Sequence, residues 1–178
     1  MKAQMRLLSI GLLFLPALIT QAQVRAVVPA QASAHANRSY SPGVDAEDYV
    51  YISGQGPRRP DGTLPATFVA QVRQALDNIK AIVEAAGLTM DHLVYTQVYL
   101  EDLSKYGEMN GVFAEYFGKT PPARAVLGVA KVPEPPIQIN AVAVRSLSDK
   151  RAVYPPNNQS DESVAPGMLT HDRLFVSG

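Results

Sequence analysis

The stretch TPPARAVLGVAKVP, residues 120–133, places one permanently charged group at the mouth of an otherwise apolar strand. Arg124 is flanked by Ala, Val, Leu and Gly. An Arg entering such a strand is costly unless something anionic pairs with it. Its planar fork fits a carboxylate through two parallel hydrogen bonds, and a hydrogen bond to a charged group contributes about 1.5–3 kcal/mol. Two partners satisfy the spacing: the carboxylate of a small ligand, or a carboxylate of the same fold. The residues alone leave both open.

Other chemistries are harder to build from this chain. It contains no Cys, which excludes disulfides, thiolate nucleophiles and Cys-ligated zinc. His35, His92 and His171 are far apart in sequence and none has a ligand partner at useful spacing, so no metal site is expected. Sixteen Lys and Arg balance sixteen Asp and Glu. That argues against a nucleic-acid or acidic-membrane partner, because phosphate binding needs clustered basic residues. The basic doublet Arg58-Arg59 lies in a Gly/Pro-rich turn and reads as solvated loop.

The elements that must position Arg124 follow from periodicity. Tyr49–Ile52 is a β-branched and aromatic strand ending at Ser53-Gly54, followed by a loop dense in Gly and Pro. From Phe68 to Ala86, residues Phe68, Val72, Leu76, Ile79 and Val83 share one helical face, and Gly87 is placed to cap the helix. HLVYTQVYLE alternates, with Val94, Thr96, Val98 and Leu100 on one face and Tyr95, Gln97 and Tyr99 on the other. A second helix is expected from about Leu103 to Phe117, burying Tyr106, Met109, Phe113 and Phe117 and stopping at Gly118. Two strands follow, RAVLGVAKV and IQINAVAVR. Strand, helix, strand, helix, strand, strand predicts an α/β sandwich, one sheet covered by two helices.

At the N-terminus, Lys2 and Arg6 precede an apolar core, Leu7–Ile19, too short to span a bilayer, and Thr20-Gln21-Ala22 offers small residues before a cut. This predicts a signal peptide over 1–22 and a folded part outside the cytoplasm, periplasmic or secreted; an uncleaved anchor would give the same location. Residues 23–38 read as a flexible leader, 39–146 as the domain and 147–162 as a polar linker.

Self-comparison aligns SYSPGVDAEDYVYISG (39–54) without gaps on SVAPGMLTHDRLFVSG (163–178). Ser, Pro-Gly, Asp48/Asp172 and Ser-Gly are identical, and the apolar swaps keep strand phase. The second segment reads as the truncated start of another copy of the domain. Its strand is expected to be loosely held or to borrow a sheet edge, and to add nothing to function.

VRQALDNIKAIVEAAGL, NGVFAEYF, PPARAVLGVAKVP and INAVAVR, with YISGQGP and Tyr40-Ser41, resemble the RidA/YjgF family, also labelled endoribonuclease L-PSP. The resemblance runs over about residues 38–146. It implies a chorismate-mutase-like α/β fold with one mixed sheet, a trimeric barrel and ligand sites in clefts between subunits. It also implies cofactor-free hydrolysis of reactive 2-imino or 2-enamino acids to 2-keto acids and ammonia. Carried over by position, Arg124 is similar to the family's substrate-carboxylate Arg, Tyr40 to the aromatic lining the cleft, and Ser53 and Gly54 to the strand end beside the site. Gln138 matches the residue credited with handling the attacking water. Where many members carry Glu in the last strand pair, this chain has Gly128, Gln138 and Asn140. Gln can orient a water but cannot act as general base. Two readings follow: a deaminase relying on Arg124 and intrinsic imine reactivity, or a non-catalytic module binding small carboxylates. The family's ribonuclease label fits poorly with an export signal and zero net charge.

Overall fold

The computed structural model describes residues 24–30, 40–117, 120–156 and 164–178. The signal peptide, most of the leader, Gly118 and Lys119, the end of the linker and Ser163 lie outside these residues. Strands β1 (Arg25–Val27), β2 (Gly43–Ala46), β3 (Tyr49–Gln55), β4 (Leu93–Leu100), β5 (Ala123–Gly128) and β6 (Ile137–Val144) form one sheet in the order β1-β2-β3-β6-β4-β5. β4 and β5 run parallel and the remaining pairs antiparallel, so the sheet is mixed as expected. Helices α1 (Phe68–Ala85) and α2 (Tyr106–Phe117) cover one of its faces.

Helix α1 forms where the apolar period demands it, and Val72, Leu76, Ile79 and Val83 are all buried. Thr67 starts the helix by accepting the Ala70 amide through its hydroxyl. At the far end Gly87 takes φ +77°, and the Leu88 and Gly87 amides donate to the Val83 and Glu84 carbonyls. This is a Schellman closure, which needs a residue that tolerates positive φ. α2 begins at Tyr106, three residues later than expected, because Leu103–Lys105 close a 3₁₀ turn started by the Asp102 carboxylate. Tyr106 is therefore exposed, and Val112 joins Met109, Phe113 and Phe117 in the core.

The helix-side core takes Val50 and Ile52 from β3, Val98 and Leu100 from β4, and Ile137, Ile139, Ala141 and Ala143 from β6. Val94 departs from the expected alternation. A register shift between Leu93 and Tyr95 turns it to the opposite side of the sheet, into a second cluster with Tyr49 and Val144. β3 also runs three residues past Ile52, through Ser53-Gly54 to Gln55, with a register shift against β6.

Two segments expected to be irregular carry strands. The leader supplies β1, which pairs with β2, and the linker supplies β7 (Arg151–Val153). β7 joins β8 (Gly167–Leu169) and β9 (Leu174–Val176) in a separate three-stranded antiparallel sheet. The tail thus pairs with its own linker and packs on the sheet face away from the helices. Met168, Ala165 and Phe175 meet Tyr49, Val94, Ala123 and Tyr95 there. Phe175 stacks on Tyr95 at 5.7 Å, and the Arg173 guanidinium lies 4.1 Å from the centre of the Tyr49 ring. The Tyr49 hydroxyl bonds Thr170 at 2.6 Å and donates to Asp172.

Candidate functional site

The sequence-chosen residues fall into two groups. Tyr40, Gly54 and Gln138 line one cleft of about 550 Å³, formed by the end of β3, the start of β6, helix α1 and the loop before β6. Gln138 lies across Gly54 so closely that a Cβ at position 54 would stand 2.0 Å from its Nε2. Gly54 is needed for that approach, and any side chain there would push the amide aside. Tyr40 is half exposed. Ser53 does not line the cleft. Its hydroxyl donates to the Ser41 and Pro42 carbonyls at 2.9 and 2.8 Å, holding the strand end in place.

The cleft also contains residues that were not anticipated. Asn78 on α1 donates to the Gly56 and Arg58 carbonyls, pinning the Gly/Pro-rich loop to the helix. Glu134 lies over Gly56 and pairs with Arg58 at 3.5 Å, so the loop read as simply solvated forms part of the wall. Asp77 lines the wall as well, accepting the Tyr116 hydroxyl at 2.7 Å.

Arg124 lies elsewhere. It opens β5, is 3% exposed, and donates from Nη2 to Asn110 Oδ1 at 2.7 Å. Its guanidinium stacks 4.6 Å from the centre of the Phe113 ring on α2. Asn110 and Phe113 are one turn apart, so α2 presents an amide and an aromatic face together. The main chain at Arg124 meets the tail: its N–H donates to Ser177 Oγ at 2.9 Å and its carbonyl accepts from Gly178 at 3.2 Å. The Val126 N–H donates to the Gly178 carbonyl at 2.9 Å, and Ala123 bridges Ala165 in parallel.

Strand alternation explains the separation. Ile137 and Ile139 point into the helix-side core, so Gln138 and Asn140 between and beside them point the other way. Arg124 stacks on α2 and is therefore on the helix side. Arg124 is not among the residues that line the Gln138 cleft, so a single copy does not bring the two onto the same small ligand. Asn140 Oδ1 is buried without a hydrogen-bond partner among the described residues, two positions from Gln138 on the same face. Gly128 closes against Leu103, whose Cδ1 would be 2.7 Å from any Cβ there, so this position serves packing. His92 caps the turn at Thr89, His171 sits 3.5 Å from Asp48, and His35 lies outside the described residues. The described residues contain no group of three or more His, Asp or Glu placed to hold a metal ion.

Six strands in this order, two helices on one face and a cleft at the strand ends define an α/β fold of the kind expected. The family model described as Endoribonuclease L-PSP matches residues 30–145, and the chain belongs to that family. It is 43% identical over 111 residues to the 2-iminobutanoate/2-iminopropanoate deaminase of Escherichia coli K12, covering 60% of this chain and 87% of that protein. A RutC family protein of Pyrococcus horikoshii is 38% identical over 109 residues, with 60% and 86% covered. Among solved structures, the Escherichia coli YjgF gene product superposes with a TM-score of 0.64 at 38% identity, covering 68% of this chain and 99% of that one. Escherichia coli TdcF, solved with bound serine, gives 0.64 at 35% identity, covering 68% of this chain and all of the other.

Proposed function

We propose that the protein hydrolyses reactive 2-imino and 2-enamino acids to 2-keto acids and ammonia, outside the cytoplasm, at sites assembled between copies of the domain in a homotrimer. The observation that carries this reading is the convergence of Tyr40, Gly54 and Gln138 on one cleft. The likeness to a named imine deaminase over the same residues supports it.

In this reading the Arg124 guanidinium of one copy holds the substrate carboxylate, pre-set by Asn110 and Phe113. The cleft of another copy supplies Tyr40 as the packing and hydrogen-bonding wall. Gln138 orients the water. The water oxygen attacks the C=N carbon, the C–N bond breaks, both water protons pass to the departing nitrogen, and the carbon is left as a ketone. Gln138 takes no proton at any step, so the rate rests on positioning and on the reactivity of a protonated imine.

An imine made in situ by an amino-acid oxidase should decay faster with the wild-type protein, and Arg124→Ala should remove the acceleration. Equal inertness of both proteins, both with segment 164–178 docked and with it displaced, would sink the deaminase reading. The lack of a titratable proton at Gln138 favours one second reading, a module that binds small carboxylates without turnover. That reading wins if both proteins are inert yet wild type alone binds a 2-keto acid by calorimetry. Gain of activity in Gln138→Glu would place this residue at the water.

A further inference from the structure

Strands β7–β9 repeat β1–β3 one for one, further upstream than the sequence match suggested. Both sets open on Arg-Ala-Val, at Arg25–Val27 and Arg151–Val153, and both reach a Pro two residues later, Pro29 and Pro155. The registers coincide: Val27 pairs with Gly43 and Gly43 with Ile52, while Val153 pairs with Gly167 and Gly167 with Val176. The turn bonds coincide too, with the Ser53 amide on the Pro42 carbonyl at 3.0 Å and the Ser177 amide on the Pro166 carbonyl at 3.0 Å. A chance likeness of two Ser-Gly strand ends would not bring along a third strand, its register and its turn.

This second set is docked on the first copy. Its Ser177-Gly178 end bonds the Arg124 and Val126 main chain, Ala165 bridges Ala123, and Met168 and Phe175 bury themselves against Tyr49, Val94 and Tyr95. We infer that β7–β9 occupy in cis the β5 edge around Arg124, the place that the between-copy reading gives to the Ser-Gly end of another copy's β1–β2–β3 set. The backbone contacts that seat the tail ask nothing of its side chains that Pro42, Gly43, Ser53 and Gly54 could not also give. Tethering decides between the two occupants. A segment on the same chain acts at an effective concentration of about millimolar, far above the micromolar level of a second chain.

The occupants are not equivalent at the site. Val164 stands where the first set has Tyr40, so the tail closes the Arg124 edge without bringing the aromatic. This deepens the between-copy reading of the site and rests on it for its catalytic consequence: Arg124 meets a complete cleft only when the tail gives way. The docking itself does not depend on any activity.

The absence of native Cys makes cross-linking clean. In the full chain, Ala123→Cys with Ala165→Cys should oxidise to an intrachain disulfide, running as a monomer on non-reducing gels. Ser41 is the repeat counterpart of Ala165. Ser41→Cys with Ala123→Cys should therefore give little covalent dimer while the tail is docked, and about tenfold more once Met168→Asp expels it. Met168→Ala with Phe175→Ala is the milder release variant should the charged one fail to fold. Interchain products from the 123/165 pair, or from the 41/123 pair with the tail intact, would overturn the cis assignment. No interchain product in either release background would overturn the docking surface. Imine decay plays no part in these readouts, so they stand or fall apart from the deaminase proposal.

Discussion

The β1–β3 and β7–β9 sets have the same register and the same turn bond, and they face different surroundings. In the first set, Asp45 ties β1 to the end of β6 through Arg25 and Arg145, with contacts of 2.9 and 2.5 Å. Its counterpart in the second set is Leu169. The first set buries Tyr49 where the second exposes Arg173. The first ends over an open cleft beside Gln138, and the second ends against Arg124. The two sets share a backbone arrangement and differ in side chains: one forms an edge of the main sheet and the other packs over its face.

Position 49/173 should separate the two most strongly. Tyr49→Ala removes the ring on which Arg173, Phe175 and His171 pack, and should cost about 3–5 kcal/mol, as large aromatic truncations in cores do. Arg173→Ala should cost under about 1 kcal/mol, because that side chain is exposed and its ion pair with Asp172 is screened. Urea unfolding of both variants measures the difference; equal losses would mean the tail is not seated on Tyr49.

Position 45/169 comes next. The hydrogen bond from Arg145, more than that from Arg25, holds the Asp45 carboxyl below its ordinary value of 3.8. A carboxylate with a depressed folded pKa contributes stability that is present above 3.8 and lost as pH falls through the folded value. Asp45→Asn should cost about 1.5–3 kcal/mol at neutral pH, and the loss should shrink in acid below the ordinary value as the wild type gives up the same contribution. Unfolding curves at neutral pH and below pH 4 test this, and a constant difference between the two proteins would refute the ion-pair account. Leu169→Ala should show no such pH dependence.

The third comparison is smaller. Ser177→Ala leaves the Arg124 amide without its hydroxyl partner, a loss of about 1–3 kcal/mol, whereas Ser53→Ala removes a hydroxyl that only ties carbonyls of its own hairpin, about 1 kcal/mol. Amide exchange at Arg124 should rise in the first variant and not in the second.

What was legible in the chain depended on how long each pattern ran. The eighteen residues of α1 repeat their apolar face often enough to be read directly, and Arg124 stands out as a lone charge in an apolar run. Strands β1 and β7 are three residues each, inside Ala/Gln-rich and Pro/Asn-rich segments, and three residues cannot establish a period. Val94 was misassigned because a bulge leaves no mark on composition. Asn110 as the Arg124 partner was not legible, since it depends on how α2 lies over β5. Strand phase does assign Gln138 and Arg124 each to a face of its own strand. That the two faces are opposite became visible only once β4 was seen to lie between them.

That opposition is the centre of the account, and mixing tests it most directly. Arg124→Ala and Gln138→Ala chains, both carrying Met168→Asp to free the β5 edge, are refolded separately and together, and imine decay is measured. If the site takes Arg124 from one copy and Gln138 from another, random assembly of the equal mixture should restore about a quarter of the activity of the Met168→Asp parent. A mixture no more active than the average of the two separate proteins would contradict the account.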